Sequence, residues 1–409
     1  MSGQRTVPGH VVEALSREET RAAVHMFGRA IGVAPPDELR LGSVDATWQE
    51  GRNLGIRGDD GAIVGTAWSF GCRAAVPGAV VPASGVSRVA VRGDHTRRGM
   101  LTALMRAQLT DLAERGDVLA SLRATEGVLY GRYGYGVATR YRTVATRRLG
   151  GRGMRLDAPT SGPVRLIDPD TAIDVLGPLH DALTLRRPGG ITRFREWWEG
   201  FVFKRTTSEH RLVMVHRGPE GDDGFAVASF GDGQEFSARP LKVTELLAAD
   251  PAATADLWRF LLDVDLVGTV QASGRPLDEP LDLLLTDPRD VSVTAVADET
   301  WLRILDVPAA LAARSWAPAE PVTIAVHDAV LPANEGTYRI ADGHAERIGP
   351  PTAPADLTCT VAALAMAYLG DRRPSELVAT GWWQGDAAAA RRADLAFATP
   401  AAPWCGTYF

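Results

Sequence analysis

The sequence is poor in lysine and cysteine. Lys204 and Lys242 are the only lysines among 44 basic residues in a chain of 409. The three cysteines, Cys72, Cys359 and Cys405, lie far apart and form no Cys-x-x-Cys pair. This spacing argues against a disulfide framework or a zinc site and suits a reducing compartment. The formal net charge of −6 argues against a protein that binds nucleic acid.

Long apolar segments are also missing. The first twenty residues contain no apolar stretch of the kind that forms the core of a signal peptide. The apolar stretch from Val361 to Leu369 is far shorter than the roughly 20 residues that a membrane-spanning helix needs. We therefore expect a cytoplasmic protein that does not bind a membrane.

The chain is long enough for two or three domains, and its first part has the pattern of an α/β fold. An apolar period near 3.6 predicts a helix over residues 9–31, and Ala62–Phe70 has the pattern of a strand that turns at Gly71. Further along, the predicted elements are a strand at 86–91, a polar turn at 92–99, a helix at 100–115 and a strand at 117–123. This order indicates a βαβ-like unit.

The same order recurs in the middle of the chain, and a different pattern follows it. Residues 241–246, 252–262 and 266–272 predict strand, helix and strand, but the turn at 248–252 has no Gly or Arg. We interpret this part as a second α/β domain without an anion-binding turn. The last part predicts short strands at 322–326, 336–340 and 344–348 and helices at 358–369 and 387–395, which indicates an α+β domain.

The turn that precedes Met100 is suited to binding a diphosphate. A helix N-terminus presents unpaired backbone N–H groups and a partial positive charge to an anion. Arg97 and Arg98 add charge there, and Gly99 allows the backbone to approach the ligand closely. Neither the dinucleotide-binding pattern G-x-G-x-x-G nor the P-loop pattern is present at this turn. A phosphate ligand of another kind is therefore expected.

Thr96–Leu101 resembles the pyrophosphate loop of the GNAT acetyltransferases, which bind acetyl-CoA. The stretch "TEGVLYGRYGYG", Thr125 to Gly136, is similar to a signature of the Eis (enhanced intracellular survival) family, as are "LTDPRD" at 285–290, residues 301–316 and the aromatic C-terminus. This resemblance covers essentially the whole chain. It implies two tandem GNAT-like domains, 1–140 and 141–297, followed by a sterol-carrier-protein-like α+β domain, 298–409.

The resemblance also implies an acetyl-CoA-dependent N-acetyltransferase that uses no metal. In this resemblance, the backbone of Val89, Ala90 and Val91 contacts the acetyl-pantetheine arm. The diphosphate is wrapped by Arg97, Arg98, Gly99, Met100, Leu101 and Thr102. Thr125 and Glu126 contact the cofactor at the end of the next strand. Tyr130 would be the general acid that protonates the departing CoA thiolate. The terminal carboxylate of Phe409 would be the general base.

The implied chemistry is reasonable for an amine acceptor. A lysine-like amine has a pKa of about 10.4 and is mostly protonated at pH 7, so a base must remove its proton. A tyrosine hydroxyl can donate to the leaving thiolate. In this interpretation the C-terminal "PWCGTYF" anchors the last carboxylate through Trp404, Tyr408 and Phe409.

Some residues near the expected site have alternative or purely structural interpretations. Glu126 is an alternative base, whereas His95 is expected to be structural and Cys405 a packed thiol. Two of the tyrosines Tyr130, Tyr133 and Tyr135 are expected to be packing residues.

The expected acceptor is an amine of a small molecule, such as an aminoglycoside or a polyamine, or a lysine side chain, bound between the first two domains and the tail. Arg29 and Tyr408 stand where acidic residues would suit a polycation, which weakens the aminoglycoside expectation. The resemblance implies a homohexamer. A competing hypothesis, favoured by Thr96 and Leu101 in the loop, is a non-catalytic scaffold that carries a lipid or another small molecule in its sterol-carrier-like domain.

Overall fold

The computed structural model describes residues 5–7, 9–34, 44, 47–148, 153–203, 211–232 and 238–409. Its strands are β1 (Arg5–Val7), β2 (His10–Ala14), β3 (Asn53–Arg57), β4 (Ile63–Val76), β5 (Ala79–Val91), β6 (Leu119–Leu122), β7 (Gly136–Arg147), β8 (Val164–Ile167), β9 (Arg211–Gly218), β10 (Gly221–Phe230), β11 (Arg239–Ala248), β12 (Val267–Pro276), β13 (Val291–Ile304), β14 (Val322–His327), β15 (Gly336–Ala341), β16 (His344–Gly349), β17 (Leu357–Thr360) and β18 (Trp383–Gly385).

The α-helices lie between some of these strands. They are α1 (Thr20–Ala30), α2 (Met100–Glu114), α3 (Gly127–Tyr130), α4 (Ala172–Thr184), α5 (Arg195–Trp197), α6 (Pro251–Asp263), α7 (Leu281–Leu284), α8 (Val307–Ala313), α9 (Val361–Tyr368), α10 (Pro374–Ala379) and α11 (Ala387–Phe397). Across the described part of the chain, no helix is long and apolar enough to cross a membrane.

The chain folds into two compact units. The first comprises the described residues up to Thr139 together with Thr300–Pro400 and Tyr408–Phe409. The second comprises the described residues of Arg140–Glu299 together with Ala401–Thr407.

The larger sheet of the first unit has the strand order β1-β2-β3-β4-β5-β6, and β6 pairs with the end of β13. Helix α2 covers one face, where Ala67, Met100 and Leu104 share a buried cluster. Helix α1 covers the other face, where Val24, Met26 and Trp68 share a second cluster. Adjacent strand residues point to opposite faces, so Ala67 and Trp68 mark the two sides of β4.

The first unit also contains a five-stranded sheet with the order β16-β15-β14-β17-β18. Aromatic side chains fill the space beneath it. The ring of Phe397 on α11 meets Trp316 and Trp383 edge-on, with centroids 4.9 and 5.9 Å apart. All three rings are buried, so α11 is fixed to this sheet by aromatic contacts.

The second unit has the strand order β12-β11-β10-β9-β8. Strands β11 and β12 are parallel and are connected through α6. Strands β5 and β6 of the first unit are also parallel and are connected through α2. The predicted repetition of strand, helix and strand is therefore present in both units.

Three local predictions were wrong. The helix expected over 9–31 begins only at Thr20, because His10–Ala14 forms β2 and pairs with β1 and β3. Gly71 is not a turn, since β4 pairs with β5 through Gly71 and Ser84 and continues to Val76. The helix expected from Thr358 begins at Val361, because Leu357–Thr360 pairs with β14 as β17. In each case pairing with another strand decides the local structure.

Candidate active site

A cavity of about 670 Å³ lies in the first unit. It is bounded by the end of β5, the beginning of α2 and the segment after β6. Tyr130 lines it, as do most of the residues expected to bind acetyl-CoA: Val89, Ala90, Val91, Arg97, Gly99, Met100, Leu101, Thr102, Thr125 and Glu126. The fold therefore brings together residues that are separated by more than thirty positions in the sequence.

Arg98 lies at a neighbouring cavity of about 470 Å³, with His10 and Glu13. Its carbonyl oxygen is 2.7 Å from His10 Nε2, and its guanidinium donates to the carbonyl of Asp94 at 3.0 Å. His95 lines both cavities, and its Nδ1 is 2.9 Å from an Asp94 carboxylate oxygen. These contacts hold the turn before α2 in place.

The N-terminus of α2 is open to an anion. Its N-cap residue is Gly99, with φ +85°, and no described side chain caps the helix. In the second unit, the carboxylate of Asp250 accepts hydrogen bonds from the N–H groups of Ala252 and Ala253 at 2.8 and 2.9 Å. A ligand phosphate at α6 would compete with this carboxylate, whereas at α2 the N–H groups remain available.

Strands β5 and β6 diverge beside the cavity. Their parallel pairing ends where Gly85 meets Ser121, whereas β5 stays paired with β4 as far as Val91 and Gly65. Among the described strands none pairs with Val89–Val91 on the β6 side. The backbone of this segment can therefore hydrogen-bond to an extended ligand, as a neighbouring strand would.

The register of β5 changes just before the segment that lines the cavity. Thr66 pairs with Ala90 and Trp68 with Ser87, so the single residue Ala67 opposes both Arg88 and Val89. This β-bulge places Arg88 in the left-handed region, at φ +50°. Such a conformation is costly for a residue with a side chain, and β-bulges often occur beside active sites.

Tyr130 ends helix α3 at the cavity wall and is only 6% exposed. Burial raises the pKa of its hydroxyl to about 12, and Glu126 and Tyr133 add to the shift. The hydroxyl is therefore protonated throughout the neutral range and can donate a hydrogen bond or a proton. Its ring meets that of Tyr135 edge-on, with centroids 6.0 Å apart.

The other two tyrosines of this segment have different surroundings. The hydroxyl of Tyr133 lies 3.2 Å from Thr102 Oγ1 on α2. Tyr135 is buried, and burial raises the pKa of its hydroxyl above the usual range. Tyr130 and Tyr133 both line the cavity with buried rings. Of these two hydroxyls, that of Tyr133 is engaged by Thr102, whereas that of Tyr130 has no hydrogen-bond partner among the described residues.

Two glycines of the "TEGVLYGRYGYG" stretch, Gly134 and Gly136, have packing roles. Gly134 has φ +88°, and a Cβ there would lie 2.8 Å from Arg303 Nε. A Cβ at Gly136 would lie 2.1 Å from the carbonyl oxygen of Ala362, at the beginning of α9. These close approaches allow α9 to pack against the start of β7.

The end of the chain lies against the first unit where β5 and β6 diverge. The ring of Phe409 meets that of Phe70 edge-on at 5.3 Å, and the Arg123 guanidinium lies 5.3 Å from the centre of the Tyr408 ring. Phe70 pairs with Gly85, the last residue of β5 that is paired with β6, and Arg123 directly follows β6. Phe409 is not among the described residues that line the 670 Å³ cavity.

The preceding tail residues are bound within the second unit. The carboxylate of Glu299 accepts hydrogen bonds from the backbone N–H groups of Cys405 and Gly406 at 2.9 and 2.8 Å. The buried guanidinium of Arg193 donates to Thr407 Oγ1 at 3.0 Å and to the Gly406 carbonyl at 2.7 Å. Glu299 and Arg193 were not predicted from the sequence, since nothing in the local sequence of either residue points to a segment more than 100 residues away.

Trp404 and Cys405 are buried in the second unit as well. The indole N–H of Trp404 donates to the Gly274 carbonyl at 2.8 Å, and the guanidinium of Arg275 lies 5.2 Å from its ring centre. The Cys405 thiol is buried and lies 3.8 Å from the Thr407 carbonyl oxygen. This is the environment of a packed side chain.

Family models match the chain in three places. Residues 11–138 and 189–304 match acetyltransferase (GNAT) domains, and residues 307–406 match a sterol carrier protein domain. An N-acetyltransferase of Streptomyces griseus is 36% identical over 82% of this chain and 83% of its own length. The N-acetyltransferase Eis of Mycobacterium bovis is 33% identical over 84% of this chain and 85% of its own length.

A solved structure agrees with these matches. Eis1 from Mycobacterium abscessus superimposes with a TM-score of 0.88 at 35% identity, over 97% of this chain and 100% of that one. The chain thus has two GNAT domains and a sterol-carrier-like domain, and it is an acetyltransferase. It belongs to the Eis family of GNAT N-acetyltransferases.

Proposed function

We propose that the protein transfers the acetyl group of acetyl-CoA to an amine, with Tyr130 as general acid and the terminal carboxylate of Phe409 as general base. The observation that carries this proposal is the joint position of the open α2 N-terminus, the unpaired edge of β5 and Tyr130 around one cavity. The diphosphate would lie at Arg97–Thr102 and the pantetheine arm along Val89–Val91. Acetyl-CoA supplies the acetyl group as a thioester.

Each proton has a proposed destination. The ammonium group of the acceptor first loses one proton to the Phe409 carboxylate, directly or through water, and the carboxylate passes this proton to solvent. The neutral nitrogen then forms a bond to the acetyl carbon and loses its second proton to the same carboxylate. The carbon–sulfur bond breaks, and the sulfur takes its proton from the Tyr130 hydroxyl. Tyr130 then regains a proton from solvent. The high pKa of the Tyr130 hydroxyl supports the role of donor, because this group is neutral before the reaction begins.

The position of Tyr408 and Phe409 supports the role of the carboxylate. Both residues contact the place where β5 and β6 diverge, and Tyr130 follows β6 by a short segment. The candidate acceptors remain an aminoglycoside, a polyamine and a lysine side chain. A homohexamer, a cytoplasmic location, the absence of nucleic-acid and membrane partners and the boundaries 1–140, 141–297 and 298–409 stay predictions.

The assay that tests this function follows the release of the CoA thiol. The protein is incubated with acetyl-CoA and each of a panel of polyamines, aminoglycosides and lysine peptides, and binding of acetyl-CoA is measured in parallel. We expect saturable binding of acetyl-CoA and amine-dependent thiol release. Failure to bind acetyl-CoA together with no release for any amine would favour the non-catalytic scaffold instead.

A further inference from the structure

Arg88 lies on the α1 face of the first sheet, beside Trp68. The ring centre of Trp68 is 5.0 Å from the Arg88 guanidinium carbon. Trp68 belongs to the buried cluster on the α1 face, whereas Val89 and Val91 pack with the α2 cluster on the opposite face. The bulge at Arg88 and Val89 thus directs these neighbouring side chains to opposite sides of β5.

The proposed base lies on the same face as Arg88. Trp68 and Phe70 are two residues apart on β4, so their side chains point to the same side, about 7 Å apart along the strand. Phe70 contacts the ring of Phe409, and Trp68 contacts the guanidinium of Arg88. An amine that gives its proton to the Phe409 carboxylate is therefore expected on the face of the sheet that also carries Arg88.

The guanidinium of Arg88 lacks a counter-ion among the residues that the structure describes. Its described side-chain contact is the face of Trp68. Burial lowers the pKa of the group to about 10, and no described acidic neighbour offsets this loss of hydration. Arg92, by contrast, is paired with Asp94 at 2.7 Å. A half-buried cation of this kind is stabilised by an incoming anion.

We propose that Arg88 recognises a carboxylate on the acceptor, so that the substrate of this enzyme is an amine that also carries a carboxylate, such as an amino acid. This inference rests on the proposed function, since it places the acceptor on the face that holds Phe409. A guanidinium binds a carboxylate through two parallel hydrogen bonds, which a point charge such as an ammonium cannot reproduce. The same cation repels a polyamine or an aminoglycoside.

Matched pairs of substrates isolate the carboxylate. Lysine and 1,5-diaminopentane differ only by that group, as do ornithine and 1,4-diaminobutane, and phenylalanine and phenethylamine. For the wild type, we expect kcat/KM to favour the amino acid at least tenfold in one or more pairs, the range expected of a charged hydrogen bond. In Arg88→Met this preference should disappear, and in Arg88→Lys it should be intermediate.

A binding measurement keeps the test independent of turnover. Each amine is titrated by calorimetry into protein saturated with CoA, and the Kd of acetyl-CoA is measured for wild type and Arg88→Met to show that the cofactor site is intact. Equal use and equal binding of amino acid and decarboxylated amine in every pair would overturn the proposal, as would a preference that survives Arg88→Met. Loss of the proposed function looks different, because acetyl-CoA then fails to bind or no amine of any class releases thiol.

Discussion

The ring of Phe409 meets the ring of Phe70 edge-on, with centroids 5.3 Å apart. Phe70 pairs with Gly85, and a Cβ at Gly85 would lie only 2.2 Å from the tip of the Phe70 ring. The absence of a side chain at Gly85 therefore makes room for Phe70, which in turn contacts the last residue of the chain. Phe409 is fixed at the point where β5 and β6 separate, and this is where the proposed mechanism needs a carboxylate.

The open helix N-terminus predicts a specific effect of charge at position 99. Gly99→Asp places a carboxylate where Asp250 caps α6 in the second unit, whereas Gly99→Asn has the same size and tolerates a left-handed backbone without the charge. We expect the Asp variant to bind acetyl-CoA at least about tenfold more weakly than the Asn variant. Calorimetric titration with acetyl-CoA measures this ratio. Equal Kd values for the two variants would show that the diphosphate does not bind at this turn.

Two glycines of the signature stretch should respond differently to alanine. A Cβ at Gly136 would lie 2.1 Å from the Ala362 carbonyl, so Gly136→Ala should lower the free energy of unfolding by about 1–3 kcal/mol. Gly131 has φ −56° and no atom within 4 Å of a Cβ, so Gly131→Ala should be neutral or stabilising by about 0.4–1 kcal/mol. Thermal denaturation of both variants measures the difference, and similar melting temperatures would contradict the packing role of Gly136.

The pH dependence of the reaction follows from the raised pKa of Tyr130. Because this pKa is about 12, the hydroxyl stays protonated as the acceptor amine loses its proton. We expect kcat/KM to rise from pH 7 towards pH 10 without a falling limb. Initial rates of thiol release across this range provide the test. A falling limb with an apparent pKa well below 10 would mean that another group is the acid.

Replacement of Tyr130 should affect the chemical step rather than binding. Tyr130→Phe keeps the ring contact with Tyr135 but removes the proton donor, so we expect kcat to fall about 10²–10⁴-fold with little change in acetyl-CoA affinity. Tyr133→Phe is the matched control, since it loses the contact with Thr102 and should keep most of kcat. If the two variants lose activity equally, the acid assignment to Tyr130 fails.

The sequence was sufficient to predict the residues that are close together along the chain. The turn before Met100, helix α2 and the segment Thr125–Tyr130 lie near one another because a parallel βαβ unit brings the ends of its strands to one edge. The open cap of α2 and the closed cap of α6 also agree with the glycine and arginine content of their turns. These features depend on local chemistry, which a sequence contains directly.

The contacts that the sequence did not predict join distant segments. Strand β2 forms at His10–Ala14 because β1 and β3 pair with it, although its apolar spacing indicated a helix. The bulge that places Arg88 on the α1 face depends on the register between β4 and β5. Glu299 binds the backbone of Cys405 and Gly406, which lie more than 100 residues away. Neither the register between two strands nor a contact between distant residues is indicated by the sequence around the residues involved.

The central claim is that the carboxylate of the last residue takes the proton of the amine. Phe409→Leu keeps the carboxylate in last place and loses only the ring contact with Phe70, so this variant should retain most of the activity. A chain with one glycine added after Phe409 keeps the ring but moves the carboxylate by one residue, about 3.5 Å. The most direct measurement is kcat for thiol release by the extended chain, compared with wild type and Phe409→Leu. We expect a fall of about 10²-fold or more in the extended chain alone, with unchanged acetyl-CoA affinity. An extended chain as active as the wild type would contradict the claim.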